Sequence, residues 1–345
     1  MTSSRADNGP GSPTIAAIAG EVGVSIATVS KVLNGRADVA PETRARVEAS
    51  LELHRYRRRQ PRRPVDAGKI RLVFHEFDSG WAMAIIGGVE AVAAAANVNV
   101  MLSQLGGQHH PPQQWLDGVL TGRPLGVLFV LCSPAPAQRQ QLRRQGIPFV
   151  VLDTDSATTA SVPTVGSNNW NGGLLATRHL LELGHGRIAI ISGPRDVLCS
   201  QARLAGFRSA HDEANLAIDP DLVRYGNFHV SAGYEHGIKL LDRADRPTAI
   251  FAGSDMQAMG VLRAARKLGL DVPGQLSVIG YDNLPVAAWT APALTTIHQP
   301  LRVMAETATR MLLDLASGVD LPTSRVDLVT ELVVRESTAP PATRL

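Results

Sequence analysis

The sequence predicts a small all-α head of three helices followed by an α/β core of two lobes with parallel sheets. Three observations carry that prediction. Residues 14–35, TIAAIAGEVGVSIATVSKVLNG, hold two short amphipathic stretches on either side of a glycine. From Lys69 onward, short apolar runs alternate with helical patterns, which is the rhythm of βαβ units. Charge is unevenly spread: residues 1–69 hold 12 Lys and Arg against 7 Asp and Glu, the remainder 22 against 24. At 345 residues and 44% hydrophobic, the chain exceeds one usual core.

Over 15–21, Ile15, Ile18 and Ala19 recur at i, i+3, i+4, and Val22 closes the same stripe, as one helical face requires. Gly23 stands where the chain must turn, and glycine enters positive φ without steric cost. Ser25 follows at a capping position for a second helix over 26–33. That helix is predicted to bury Val29, Val32 and Leu33 and to turn Ala27, Thr28, Ser30 and Lys31 outward. A helix-turn-helix offers such a face to the DNA major groove. A third helix over 41–53 opens on Pro41 and Glu42 and points Val47 and Leu51 inward. Directly behind it lies RYRRRQPRR, with six arginines in residues 55–63, where phosphate contacts need positive charge.

In the core, IRLVF at 70–74, VNVML at 98–102, VLFVL at 127–131 and FVVL at 149–152 read as buried parallel strands. Helices over 82–96, 113–120 and 137–146 separate them. The cycle resumes with a helix over 172–183, RIAII at 187–191, and helices over 201–214 and 232–241. AIFA at 249–252, a helix over 256–268 and LSVIG at 276–280 complete it. Two such series predict two lobes. Ligands of open α/β sheets sit beyond the carboxyl ends of strands. Polar groups fall at those ends: Asp78 with Ser79, Asn171, Arg203, Asn227, Ser254 with Asp255, and Asp282. On the residues alone, Arg203 reads first as a surface arginine of an amphipathic helix, Asp282 as a cap and Phe228 as core packing.

The head resembles the LacI/GalR family of bacterial transcriptional regulators. Thr14, Ile15, Ala19, Gly23, Val24, Ser25, Thr28, Val29, Ser30, Val32, Leu33, Asn34 and Gly35 match its signature. Val39, Glu42, Thr43, Arg44 and Val47 match the segment that follows. The resemblance implies that Thr14, Ser25, Thr28, Ser30 and Asn34 contact phosphates or groove edges of double-stranded DNA. It implies that Ile26, Ala27 and Lys31 read bases. Ile26 and Ala27 offer only apolar contact, such as to a thymine methyl, while Lys31 can donate to guanine O6 and N7. Tyr56, Arg57, Arg58 and Arg59 are expected on phosphates or in the minor groove.

The resemblance extends over nearly the whole chain and implies a periplasmic-binding-protein-like core. CSQARLAGF places Arg203 as a clamp for a bound effector, and SVIGYDNLPVA places Asp282 as an acceptor for its hydroxyls. Asn171, Phe228 as the stacking aromatic, Ser79, Trp81 and Ser254 complete the implied site. Ser254 stands where the family usually carries Asn. The family core crosses between lobes three times, here near 165–167, 296–299 and 323–327. The expected domains are an N-terminal extension (1–13), the DNA-binding head (14–56), a basic linker (57–69), the core (70–338) and a tail (339–345). Within the core, the first lobe takes about 70–166 and 298–324, the second 167–297 and 325–338. Family members follow Tyr56 with a hinge helix whose leucine enters the minor groove. Here Val65 falls at that wedge and Pro64 precedes it, which argues against a regular hinge helix.

Other chemistries find no support. His109 and His110 lack further ligands at metal spacing, so no metal is expected. No phosphate-cradle or nucleophile-elbow sequence occurs, and neither a cofactor nor a catalytic residue is assigned. Cys132 and Cys199 read as reduced core thiols. No apolar run resembles a signal peptide or a membrane span, so the expected location is the cytoplasm, without a membrane partner. The expectation is a homodimeric repressor of carbohydrate-utilisation genes, released from a palindromic operator by a mono- or disaccharide. A non-sugar corepressor such as a purine is the alternative, followed by a sugar receptor or an enzyme.

Overall fold

The computed structural model describes residues 14–33, 39–54, 68–76, 80–153 and 162–342. These form two units, a head and a core. The head contains α1 (Ile15–Val22), α2 (Ile26–Leu33) and α3 (Pro41–Leu53). Thr14 caps α1 by accepting from the Ala17 N–H at 3.2 Å, and Gly23 ends it at φ 70°. α1 and α2 then diverge by 107°, an angle that helix-turn-helix pairs share. Ile18, Val29 and Val47, one from each helix, are wholly buried. Each such side chain contributes about 1.5–3 kcal/mol of burial, so the three hold the helices together. The Arg46 guanidinium donates to the Val22 carbonyl, and a His54 ring nitrogen lies 2.5 Å from Glu21 Oε2. Both contacts tie α3 to α1.

The core alternates strands and helices. Its first series is β1 (Lys69–Phe74), α4 (Gly80–Ala95), β2 (Asn99–Gln104), α5 (Gln113–Gly122), β3 (Gly126–Val130), α6 (Pro136–Arg144), β4 (Phe149–Leu152) and β5 (Thr164–Ser167). Its second is α7 (Asn169–Glu182), β6 (Ile188–Ser192), α8 (Leu198–Glu213), β7 (Val223–Tyr225), α9 (Val230–Leu241), β8 (Ala249–Ala252), α10 (Asp255–Lys267), β9 (Ser277–Asp282) and β10 (Thr295–His298). α11 (Leu301–Ala316), β11 (Arg325–Leu328) and β12 (Glu331–Val333) follow. Two six-stranded sheets result, ordered β11-β5-β4-β3-β1-β2 and β12-β10-β9-β8-β6-β7. All their pairings are parallel except β10 with β12.

Helices cover both faces of each sheet, which explains the unbroken apolar strands. Leu128 and Val130 of β3 join the cluster with Ile85 of α4 and Met304 of α11. Val127 and Phe129 join the opposite cluster with Leu116 of α5 and Leu142 of α6. The edge strands β2 and β11 are half exposed along their length, as edges should be.

The sequence places the third crossing at 323–327 and assigns 325–338 to the second lobe; the structure corrects this. β11 pairs in parallel with β5, from Arg325 opposite Thr164 to Leu328 opposite Ser167. Only β12 joins the second sheet, so the chain crosses at 329–330. The reason is backbone satisfaction: β5 is buried along its whole length, and its outer edge needs a hydrogen-bonding partner. Cys132 and Cys199 are both buried, and neither forms a disulfide among the described residues. Among the described residues, no single helix is long and apolar enough to cross a membrane.

Candidate functional site

The first candidate surface is the outer face of α2. Ser25 accepts from the Thr28 N–H at 3.1 Å, and the two hydroxyls lie 2.9 Å apart. The cap therefore fixes both hydroxyls at the start of the helix. Ile26 is 56% exposed, and Ala27 and Lys31 are exposed beside it. Ile26 stands outside the apolar cluster that holds the head together. Ser25, Thr28 and Lys31 line a shallow groove closed by Val24, Val39, Ala40 and Thr43. Thr14 is exposed and occupied as the α1 cap. Asn34, Tyr56, Arg57, Arg58 and Arg59 lie outside the described residues, as do Val65 and the rest of the linker.

The second lies between the core lobes, where strand ends converge. Asp153 after β4, Phe228 after β7 and Asp282 at the end of β9 have φ of 51°, 66° and 111°. Side chains other than glycine rarely adopt such angles, and backbone strain of this kind gathers at functional sites. Arg203 of α8 lies at the centre, 3% exposed. Its Nε donates to Asn169 Oδ1 at 2.9 Å, Nη1 to the Gly253 carbonyl at 2.5 Å, and Nη2 to Gln299 Oε1 at 3.1 Å. Asp282 Oδ1 stands 4.0 Å from Nη2. The guanidinium stacks 3.6 Å from the Tyr281 ring centroid and 5.5 Å from that of Phe228.

Asp153 brings the first lobe into this cluster. Gln299 Nε2 donates to its Oδ2 at 3.4 Å and Asn169 Nδ2 to its Oδ1 at 3.5 Å. Gln299 follows β10 at the second crossing, so its amide bridges an arginine of one lobe and a carboxylate of the other. Burial raises the carboxyls of Asp282 and Asp153 above the usual range, while the Arg203 charge pulls both down. Burial also opposes the Arg203 charge, yet Cys199, Tyr281, Asp282 and Asp153 around it raise its pKa. The Cys199 thiol is pushed up to about 12, first by burial and then by Asp153. Arg203 is thus a fixed cation between two buried acceptors.

Helix packing places that cation. A Cβ on Gly173 of α7 would strike the Arg203 backbone, so glycine there allows α8 to approach closely enough. Ser254 caps α10 by accepting from the Gln257 N–H at 3.1 Å, and it donates to the Phe228 carbonyl at 2.9 Å. Its hydroxyl thereby holds the turn that carries the aromatic ring.

The structure brings Arg203, Phe228, Ser254 and Asp282 together and places Asn171 apart from them. Asn171 gives only its N–H to the Asn168 cap; Asn169, two residues earlier, is the one that reaches Arg203. Helical rotation explains this, since the first turn of α7 aims Asn169 inward. Trp81 is 9% exposed and belongs to an apolar cluster that joins first-lobe residues to Leu284 of the second lobe, so it packs where the lobes meet. Ser79, with Asp78, lies outside the described residues. Sequence reasoning missed Asp153, Asn169 and Gln299. Asp153 follows FVVL as Asp282 follows VIGY, so the strand-end rule applied to FVVL would have found it. The doublet Asn168–Asn169 gave no such signal. His109 and His110 lie in a loop, the first half-buried and the second exposed, with their Nδ1 atoms 3.1 and 2.8 Å from the Leu131 and Ser133 carbonyls.

Known proteins carry the same two parts. Residues 14–59 match the model of bacterial regulatory proteins, lacI family, and residues 177–338 that of the periplasmic binding protein-like domain. The HTH-type transcriptional regulator MalR of Streptomyces coelicolor is 35% identical over 337 residues, covering 94% of this chain and 96% of that protein. The HTH-type transcriptional repressor PurR of Salmonella arizonae is 35% identical over 331 residues, with 94% and 97% covered. A solved complex of the transcriptional regulator CelR with cellobiose is 32% identical with a TM-score of 0.72, covering 94% of this chain and 99% of that one. With a helix-turn-helix head and a two-lobed α/β core, and with relatives of this identity along its length, the chain belongs to the lacI family of bacterial regulatory proteins and is a DNA-binding transcriptional regulator.

Proposed function

We propose that this regulator represses carbohydrate-utilisation genes and leaves a palindromic operator when a mono- or disaccharide enters the core cleft. The Arg203 cluster carries this reading. A neutral polyol needs donors and acceptors in one place, because each buried hydroxyl must be satisfied. Arg203, Asn169 and Gln299 supply donors and Asp282 and Asp153 acceptors, with Phe228 beside them for a C–H face. The cellobiose held by the CelR neighbour supports the same ligand class. One head reads few base pairs, so a homodimer on a twofold site is the working unit. In the head, Lys31, Ile26 and Ala27 read bases, while Thr14, Ser25, Thr28, Ser30 and Asn34 meet phosphates or groove edges, helped by Tyr56, Arg57, Arg58 and Arg59. Ligand binding changes the angle between lobes and so the spacing of paired heads.

The test is the affinity of the purified protein for DNA from its own gene neighbourhood, titrated with a panel of mono- and disaccharides. Loss of binding with one sugar is the expected result. Tightening by a purine would replace the sugar reading with a corepressor.

A further inference from the structure

The Asp282 carboxylate is carried by an unfavourable backbone. Asp282 and the next residue, Asn283, have φ of 111° and 58°. Two left-handed residues in succession persist only where the surrounding structure holds them. Asp255, His298 and Arg335 hold this turn. Asp255 Oδ2 accepts from the Leu284 N–H at 2.7 Å, and Asn283 Nδ2 lies 3.2 Å from His298 Nδ1. Arg335, which follows β12, donates from Nη2 to Asn283 Oδ1 at 2.6 Å and from Nη1 to the Leu294 carbonyl at 2.7 Å. Both acceptors are neutral and the donor is charged, which makes such bonds roughly twice as strong as neutral ones. The stem of the side chain is pinned as well. The Arg335 N–H donates to Thr295 Oγ1 at 2.9 Å and the Glu336 N–H to the Ala293 carbonyl at 2.9 Å.

We propose that Arg335 is a positioning residue for the effector site: through Asn283 it holds the turn that aims the Asp282 carboxylate into the cleft. The proposal rests on the reading of Asp282 as an acceptor for the ligand. Arg335 acts at one remove, since its side-chain bonds reach Asn283 and Leu294, neither of them in the Arg203 cluster. Without it, Asn283 is free to relax to a negative φ. Rotation there swings the adjoining peptide, and the Asp282 carboxylate with it, away from Arg203 Nη2, now 4.0 Å distant. Arg335 also follows the crossing at 329–330 through β12, so it ties the Asp282 turn to chain that has just returned from the first lobe.

The experiment uses the full-length protein as wild type, Arg335→Ala, Arg335→Lys, Asn283→Gly and the double variant Arg335→Ala with Asn283→Gly. Glycine removes the Oδ1 anchor yet tolerates the left-handed φ. Calorimetry with cellobiose, maltose, glucose and ribose is run beside urea unfolding, and the sugar-free wild type and Arg335→Ala are crystallised. Arg335→Ala is expected to weaken binding of the accepted sugar about ten-fold. Arg335→Lys should recover part of that loss, because an ammonium can serve one of the two acceptors. Asn283→Gly should lose a similar factor and the double variant no more than either, since the same contact is broken each time. Unchanged affinity at lowered stability overturns the proposal and makes Arg335 a strut of the second lobe. Losses that multiply in the double variant overturn it too. If the wild type binds none of these sugars, the sugar reading is what fails, and the two crystal structures decide on Arg335. An Asp282 carboxylate displaced in Arg335→Ala supports the positioning; one in the same place in both overturns it.

Discussion

The Ser254 hydroxyl donates to the Phe228 carbonyl at 2.9 Å while accepting the N–H that opens α10 at 3.1 Å. One side chain therefore holds a helix start and a turn at φ 66°. Ser254→Ala removes both contacts, and loss of a cap alone costs about 0.5–2 kcal/mol. The variant should unfold at lower urea and bind ligand more weakly, because the Phe228 turn is released. Ser254→Asn, which restores the residue usual in the family, can cap with Oδ1 and donate with Nδ2, and should keep wild-type stability. Equal losses in both variants would show that size at this position matters more than the hydrogen bonds.

Gly173 determines how close α8 lies to α7, and hence where Arg203 sits. Gly173→Ala should cost about 1–3 kcal/mol of stability by overpacking. It should also lower ligand affinity, since the Arg203 backbone must move aside. Urea unfolding and calorimetry on the same preparation check both. A stability loss with unchanged affinity would mean that the cleft tolerates the shift.

The architecture was largely legible because α/β periodicity is loud: VLFVL and FVVL are buried on both faces, and burial on both faces leaves little choice of residue. The strands that went unread, β5 (TVGS), β7 (VRY), β10 (TTIH), β11 (RVDL) and β12 (ELV), are three or four residues long with polar members. Their pairing comes from neighbours, which no local pattern encodes. The same holds for the third crossing, fixed by β5's need for a partner. In the site, Arg203 and Asp282 were read because their segments match a family, and Phe228 with them. Asn169 was missed because choosing among Asn168, Asn169 and Asn171 requires the rotation of a helix whose start the sequence placed three residues late.

Lys31 is exposed on α2 beside Ile26 and Ala27. Lys31→Ala should weaken binding to the preferred operator by about 1–3 kcal/mol through one lost base contact. Non-specific, salt-dependent binding should fall far less. Competition between operator and scrambled DNA measures the ratio. Uniform loss on both would assign Lys31 to the phosphates.

His185 joins three segments of the second lobe: Nδ1 lies 2.9 Å from Thr248 Oγ1, and Nε2 lies 3.0 Å from Ser277 Oγ and 2.9 Å from the Ala339 carbonyl. Burial lowers its pKa. A depressed folded-state pKa means that the unfolded chain takes the proton first, so stability is full above about 6.5 and lost as pH falls toward the folded value. His185→Gln should cost about 1–3 kcal/mol at pH 7.5 through broken hydrogen bonds. It should also lose less stability than the wild type between pH 7.5 and 5.5. Parallel pH profiles would remove His185 as a source of acid sensitivity.

Arg203→Ala separates ligand recognition from the electrostatics of the core. It removes the charge that pulls the Asp282 and Asp153 carboxyls down, while the burial that raises them remains. Operator affinity should no longer respond to any sugar. Stripping the cation from a buried acidic pair costs about 3–5 kcal/mol, and that cost depends on pH in a defined direction. A carboxyl whose folded pKa is raised contributes its full stability below the unfolded pKa and loses it as pH rises through the folded one. The variant's deficit against wild type should therefore be largest at pH 7.5 and smaller at pH 5, where the carboxyls take up protons and need no cation. Urea unfolding at the two pH values reads the difference. A deficit independent of pH would mean that Arg203 stabilises the cleft through packing on Tyr281 and its bonds to Asn169 and Gly253, not through its charge.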